Sequence, residues 1–175
     1  MLIRWRAAAA GLLALGGLSL AHAAKPVPEW AGRVTHVSDG DSLWVQPTDA
    51  ALKPVEIRLA DIDAPEICQA WGPQARDALK DQVAGKTVGV RVVGRDGYGR
   101  TLARVLLDGQ SVNAWLVTEG HAYSHRTRWD QGPLVKQEKV VRALRRGVHG
   151  QGGAILPKDF RRSHGPCERA TRAAR

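Results

Sequence analysis

Three shortages narrow the reading before any motif does: few cysteines, few acids and almost no long apolar sequence. The cysteines are Cys68 and Cys167. There is no C-x-x-C and no paired Cys/His spacing, so a zinc or iron–sulfur scaffold is excluded. Two readings remain, one disulfide or two free buried thiols. A disulfide would tie the Cys68 loop to the C-terminal segment. It would close a loop of about 100 residues, worth up to several kcal/mol in the chain-entropy account.

The one long apolar run is Ala7 to Leu20. Arg4 and Arg6 precede it, and Ala21-His22-Ala23 follows as an A-x-A cleavage site. Residues 1–23 are therefore expected to be a secretory signal peptide, with the mature chain starting at Ala24. The run is too short to span a bilayer. No later stretch approaches that length, so the product is expected to be exported, periplasmic or secreted, without stable membrane insertion. Export makes a disulfide permissible. No internal repeat or low-complexity segment follows.

Acid is outnumbered, with 26 Lys and Arg against 17 Asp and Glu. Removing Arg4 and Arg6 leaves 24 against 17, a net charge of +7. A basic exported protein suits a polyanionic partner, nucleic acid or an anionic surface. The plainer reading is a solvated basic surface. The residues from Ala24 on are enough for one domain with its own core, expected to be monomeric.

What is present is organised around Ile57-Arg58-Leu59-Ala60-Asp61-Ile62-Asp63-Ala64-Pro65-Glu66. Val55, Ile57 and Leu59 alternate with Glu56 and Arg58, the pattern of a half-buried strand. Asp61, Asp63, Pro65 and Glu66 then break it, which is poor strand chemistry and good site chemistry. Pro65 holds Ala64 extended, leaving the Ala64 carbonyl available to a ligand.

Residues 24–31 read as an extended lead-in. Gly32–Ser38 and Ser42–Gln46 read as a hairpin about Asp39-Gly40, and Val55–Leu59 as a third strand. Gly72-Pro73 opens a helix with Ala75, Leu79 and Val83 on one face, ended by Gly85. Thr87–Val93 and Thr101–Leu107 read as a second strand pair. Val112–Glu119 and Pro133–Arg146 read as two further helices, the latter with Leu134, Val135, Val141 and Leu144 as its apolar positions. From Arg161 on, five arginines against Glu168 give a net charge of +4. The domain is placed at 32–162 and a basic tail at 163–175. Five short strands with a helix between the third and fourth is the order of an OB-fold, a small α+β Greek-key barrel, although the counts alone do not distinguish it from other α+β domains.

Three clusters sit at strand ends: Asp39-Gly40-Asp41-Ser42, the central stretch, and Asp96-Gly97-Tyr98-Gly99-Arg100. Asp41, Asp63 and the Ala64 carbonyl would form a hard all-oxygen site of the kind that suits Ca²⁺. Singly, each aspartate reads as a turn residue. Arg58 and Arg100 can clamp a phosphate and stabilise the charge that grows on its oxygens during hydrolysis. Alone, Arg58 reads as half of a surface ion pair. Glu66 can orient or deprotonate water, or be an exposed carboxylate. Tyr98 can stack on a base or touch a phosphate, or pack on its hairpin. His121, His125, His149 and His164 have no metal spacing and no nucleophile partner, and read as surface or core residues. Trp30, Trp44, Trp71, Trp115 and Trp129 read as core or rim packing. A metal-assisted phosphodiesterase explains the charged set together. A barrel that binds nucleic acid without cleaving it, and an anionic-surface binder using the tail, are the alternatives.

These residues carry a resemblance to the staphylococcal nuclease family. It runs through Asp39-Gly40-Asp41-Ser42, Ile57-Arg58-Leu59, Asp63-Ala64-Pro65-Glu66, Gly72-Pro73, Tyr98-Gly99-Arg100-Thr101-Leu102-Ala103, Val112-Asn113, Leu116-Val117 and Gly120, covering about Gly32 to Arg162. The resemblance implies a five-stranded OB-fold barrel with three α-helices. It implies Ca²⁺-dependent hydrolysis of DNA and RNA that leaves 3′-phosphates. By position it makes Arg58, Glu66 and Arg100 catalytic, Asp41, Asp63 and the Ala64 carbonyl calcium ligands, and Tyr98 a nucleotide contact.

Overall fold

The computed structural model describes residues 29–152, 154–165 and 167. The expected signal peptide, the lead-in before Glu29 and the tail beyond Cys167 lie outside the described residues.

The chain builds its sheet from alternation. In β1 (Glu29–Asp39), Val34 and Val37 point inward, and in β2 (Ser42–Pro47) Leu43 and Val45 do the same. The pair turns tightly through Gly40-Asp41, with Asp39 opposite Ser42. In β3 (Val55–Leu59), Ile57 and Leu59 are buried while Arg58 faces outward. β4 (Ile62–Asp63) leaves this barrel to pair with β8 (Tyr123–Ser124). β5 (Thr87–Arg95) and β6 (Thr101–Leu107) form the second hairpin, and β7 (Gln110–Ser111) turns back to pair antiparallel with the end of β6.

The strand order β3-β2-β1-β5-β6 closes on itself, because β3 also pairs with β6 in parallel, Ile57 opposite Thr101 and Leu59 opposite Ala103. Closure leaves the barrel no open edge along these strands. Its interior is filled by Val34, Leu43, Val45, Ile57, Leu59, Val88, Val90, Ala103 and Val105. Ala75, Leu79 and Val83 of α1 (Gly72–Val83) and Leu116 and Val117 of α2 (Val112–Thr118) are also buried. Burying each Leu or Val side chain of this set contributes about 1.5–3 kcal/mol. The expected OB-type α+β barrel is therefore present.

Four details differ from expectation. Strand β1 begins at Glu29, because Glu29–Arg33 pair with Thr87–Arg91 of β5, so part of the lead-in is strand. Helix α3 covers Val135–Ala143, shorter than 133–146. Its inward face is set by Glu138 and Val141, while Leu144 is exposed. Two-residue ladders such as β4–β8 are too short to show a period. Lastly, there are four α-helices among the described residues and not three. Helix α4 (Pro157–His164) starts on a proline and crosses the boundary drawn at 162. Only Pro157 of α4 is buried, so no apolar stripe announced it.

Candidate active site

Asp41 sits in the β1–β2 turn, where its amide donates to Asp39 Oδ1 at 3.1 Å. Its side chain is only 1 % exposed. Oδ2 accepts from the Ala64 amide at 2.8 Å, and Oδ1 is paired with Arg58 Nη1. The other arm of Arg58, Nη2, donates to Asp63 Oδ1 at 2.9 Å. One guanidinium thus joins the β1–β2 turn to β4, across 17 residues on one side and five on the other. Asp63 lies opposite Tyr123 in the β4–β8 ladder, which fixes its backbone. Ala64 is buried beside it.

Glu66 follows Pro65 in a loop that is closed on itself. Its amide donates to Gln69 Oε1 at 3.2 Å and its carbonyl accepts from the Gln69 amide at 2.8 Å. Gly72, at the start of α1, presses against the Glu66 carbonyl so closely that a Cβ there would collide with it. The loop carrying Glu66 therefore rests on a helix start that only glycine permits.

The Glu66 carboxylate meets a partner that sequence reasoning missed. Arg161, from α4, donates Nη1 to Glu66 Oε1 at 2.6 Å and to Asp63 Oδ1 at 3.1 Å, and Nη2 to Asp63 Oδ2 at 3.2 Å. Arg161, inside the domain drawn at 32–162 but counted among the C-terminal arginines, contacts this cluster. Gln69 was also missed; its Nε2 donates to the Ile155 carbonyl at 2.6 Å, just before α4. The one pointer in the sequence was Cys167, six residues beyond Arg161. Cys167 is bonded to Cys68, two residues beyond Glu66. The disulfide reading therefore replaces that of two free thiols.

Arg100 stands apart from this cluster. Its Nε donates to Asp96 Oδ2 at 2.7 Å, and its guanidinium lies 5.7 Å from the Tyr98 ring. It precedes Thr101, which pairs with Ile57, the residue before Arg58. Its backbone is thus one strand's width from the Arg58 strand. Tyr98 is 90 % exposed and does not pack on the hairpin. The structure accordingly brings Asp41, Arg58, Asp63, Ala64 and Glu66 together and leaves Arg100 and Tyr98 alongside.

The charges at the cluster are unbalanced. Burial pushes the Asp41 carboxyl well up, Arg58 opposes this, and Asp39 and Asp63 add to it. Burial pulls Arg58 down, yet Asp41, Asp63 and Asp39 outweigh burial and raise it. At Asp96, burial pushes up, but hydrogen bonds from the Arg100 side chain and the Arg100 and Tyr98 amides prevail and hold it low. Burial is the main cause of the Asp41 shift, and a hard cation close by would oppose it as Arg58 does. Among the described residues no three His, Cys, Asp or Glu side chains suffice to hold an ion alone. The Asp41 and Asp63 carboxylates lie on neighbouring segments beside Ala64, and Arg58, Arg161 and the Ala64 amide engage their oxygens.

The histidines bear out their bland reading. His121 lies against Trp71 and Trp115, with Trp71 Nε1 donating to His121 Nδ1 at 3.3 Å, and His149 packs edge-on to Tyr123. A surface groove lined by Thr35, His36, Trp44, Lys53 and Pro54 holds neither carboxylate nor arginine. A smaller cavity of about 70 Å³ adjoins the cluster, lined by Asp63, Ser124, His125, Arg126, Lys158 and Arg161, among others.

A closed OB-type barrel bearing linked acidic and guanidinium side chains at its strand ends defines a class: small barrels equipped for chemistry on a phosphate. The family described as staphylococcal nuclease homologue matches residues 56–148. An uncharacterized endonuclease of Escherichia coli is 38 % identical over 127 residues, 72 % of this chain and 81 % of its own length. A second, from Haemophilus influenzae, is 34 % identical over 131 residues, 74 % of this chain and 72 % of its own. A micrococcal nuclease of Shigella flexneri is 34 % identical over 151 residues, 78 % of this chain and 85 % of its own. The chain belongs to the staphylococcal nuclease family.

Proposed function

We propose that the protein is an exported, Ca²⁺-dependent endonuclease that hydrolyses phosphodiester bonds of DNA and RNA and leaves 3′-phosphates. The observation that carries this reading is the single hydrogen-bonded network from Asp41 through Arg58 and Asp63 to Glu66. Family membership and the chain's similarity to an endonuclease and a micrococcal nuclease support the nuclease part. The residues fit a calcium ion: Asp41 and Asp63 by carboxylate and Ala64 by its carbonyl. When bound, the ion supplies positive charge where the phosphate must be held.

The chain's own residues supply the remainder. Glu66 orients a water and accepts its proton. Arg58 donates two N–H groups to the phosphate and stabilises the charge that builds on its equatorial oxygens. Arg100 reaches the same phosphate by exchanging Asp96 for it, and Tyr98 contacts the nucleotide. Water's oxygen bonds to phosphorus, and the bond from phosphorus to the 5′-oxygen breaks. The oxygen that leaves gains a proton, and the phosphate stays on the 3′ side. The disulfide supports export, since such bonds persist in oxidising compartments.

The test is an assay of the protein from Ala24 on against single- and double-stranded DNA and RNA. Cleavage of both with added Ca²⁺, loss in chelator and 3′-phosphate ends are expected. Undiminished cleavage in chelator would remove calcium from the reading. Salt-sensitive binding with no product would favour the binding-only barrel.

A further inference from the structure

We propose that Arg161 is a positioning residue of this site, which fixes Asp63 and Glu66 relative to each other, and that the Cys68–Cys167 bond keeps it there. The inference rests on the nuclease reading above. Among the described residues, Arg161 is the one side chain that donates to both carboxylates, with Nη1 and Nη2 on Asp63 and Nη1 also on Glu66. A guanidinium is a rigid planar fork, so a group bound to two of its edges is fixed in direction as well as distance. Glu66 is the proposed base, and it rides on a loop, so its aim has to come from such a contact.

The helix that delivers Arg161 has little hold of its own. α4 is eight residues long and buries only Pro157. An isolated helix of that length is marginal in water. Partly exposed ion pairs add little, and Arg161 is 36 % exposed. Among the described residues, the other bonds from this segment to the rest of the domain are the Gln69 bond to the Ile155 carbonyl and the disulfide with its Cys68 amide contact. The disulfide joins the loop of Glu66 to the segment just after α4, and the Cys68 amide donates to Cys167 Sγ at 3.1 Å. A tether of this kind shortens the path between Arg161 and the Glu66 loop and so raises the effective concentration of the arginine at the site.

A positive charge on Asp63 also opposes calcium there, by plain repulsion. Removing it should therefore move two readouts in opposite directions. Calcium affinity is measured by calorimetry without substrate, and kcat and KM with DNA. Arg161→Gln should bind Ca²⁺ several-fold more tightly, yet turn over about 10- to 100-fold more slowly, because the base is no longer aimed. KM should change less than about threefold. Arg161→Lys keeps the charge and loses the fork, so its calcium affinity should stay near the parent's and its kcat should fall between the two. Cys68→Ser/Cys167→Ser should reproduce Arg161→Gln, and combining the two should add less than about twofold. Arg162→Gln, a neighbouring exposed arginine paired with Asp159, should behave as the parent.

Loss of fold alone would lower calcium affinity and kcat together, which would overturn the proposal. So would a parental or raised kcat in Arg161→Gln, or effects of the bridge and the arginine that multiply. A parent that cleaves nothing would instead remove the nuclease reading, and this proposal with it.

Discussion

Arg58 and Arg100 reach their proposed task from different starting points. Arg58 is already fixed between two carboxylates, while Arg100 is held by Asp96 outside the cluster. Both donate to the same transition-state charge in the proposed reaction. Arg58→Ala and Arg100→Ala should each lower kcat about 10²- to 10³-fold, roughly 3–4 kcal/mol. Steady-state kinetics on one DNA substrate checks this, and parental turnover in either variant would show the clamp to be misassigned. The two should differ in stability. Arg58→Ala strands the buried Asp41, whereas Arg100→Ala frees a half-exposed turn. At this scale the sequence was informative where chemistry is local. Asp41, Arg58, Asp63 and Glu66 stand at strand ends in short motifs. Arg161 was hidden because its partners lie 95 and 98 residues away, and nothing in a run of arginines marks the one that folds inward.

Helix α3 shows how an element can matter to the site without touching it. Glu138 is 1 % exposed and lies among Arg126, Arg142 at 2.8 Å and the Ser124 amide at 2.9 Å. Burial pushes Glu138 up, but the Arg126 hydrogen bond, the Ser124 amide and Arg142 outweigh it and hold the carboxyl low. Ser124 belongs to β8, the strand that positions Asp63 through Tyr123. Removing one partner of such a buried set leaves the other charge uncompensated. Glu138→Ala should therefore cost about 3–5 kcal/mol in urea unfolding. A loss below about 1 kcal/mol would mean that the arginines find water instead. Elements with strong alternation, β3 and β6, could be read residue by residue. In α3 the apolar positions were half informative: Val141 is buried and Leu134 packs on the core, but Leu144 is exposed and the charged Glu138 shares the inward face.

Across the molecule, folding buries histidines in a way that makes stability depend on acid. Burial pulls His121 below the usual value of 6.5, with Glu119 opposing, and burial likewise pulls His149 down. The unfolded chain therefore takes up protons near that value which the folded chain refuses. Stability from these two groups is intact above it and is lost as pH falls through it. The urea midpoint should drop between about pH 7.5 and about pH 5.5, and the drop should shrink in His121→Gln/His149→Gln. An unchanged drop in that variant would place the loss elsewhere. The barrel was legible through the family resemblance, because five short strands with a helix between the third and fourth fit other α+β domains as well; closure itself rests on the β3–β6 pairing. The C-terminal helix was not, since the charged contact and the covalent bond that seat it leave no period in the sequence.

The central claim is that two carboxylates and two arginines, brought from separate strand ends, act on one phosphate. A crystal structure with Ca²⁺ and a nucleoside 3′,5′-bisphosphate tests it most directly. The account predicts one ion between Asp41 and Asp63, and one phosphate reached by both Arg58 and Arg100, with Arg100 released from Asp96. A phosphate bound by Arg58 while Arg100 stays on Asp96, or an ion seated away from Asp41, would contradict it.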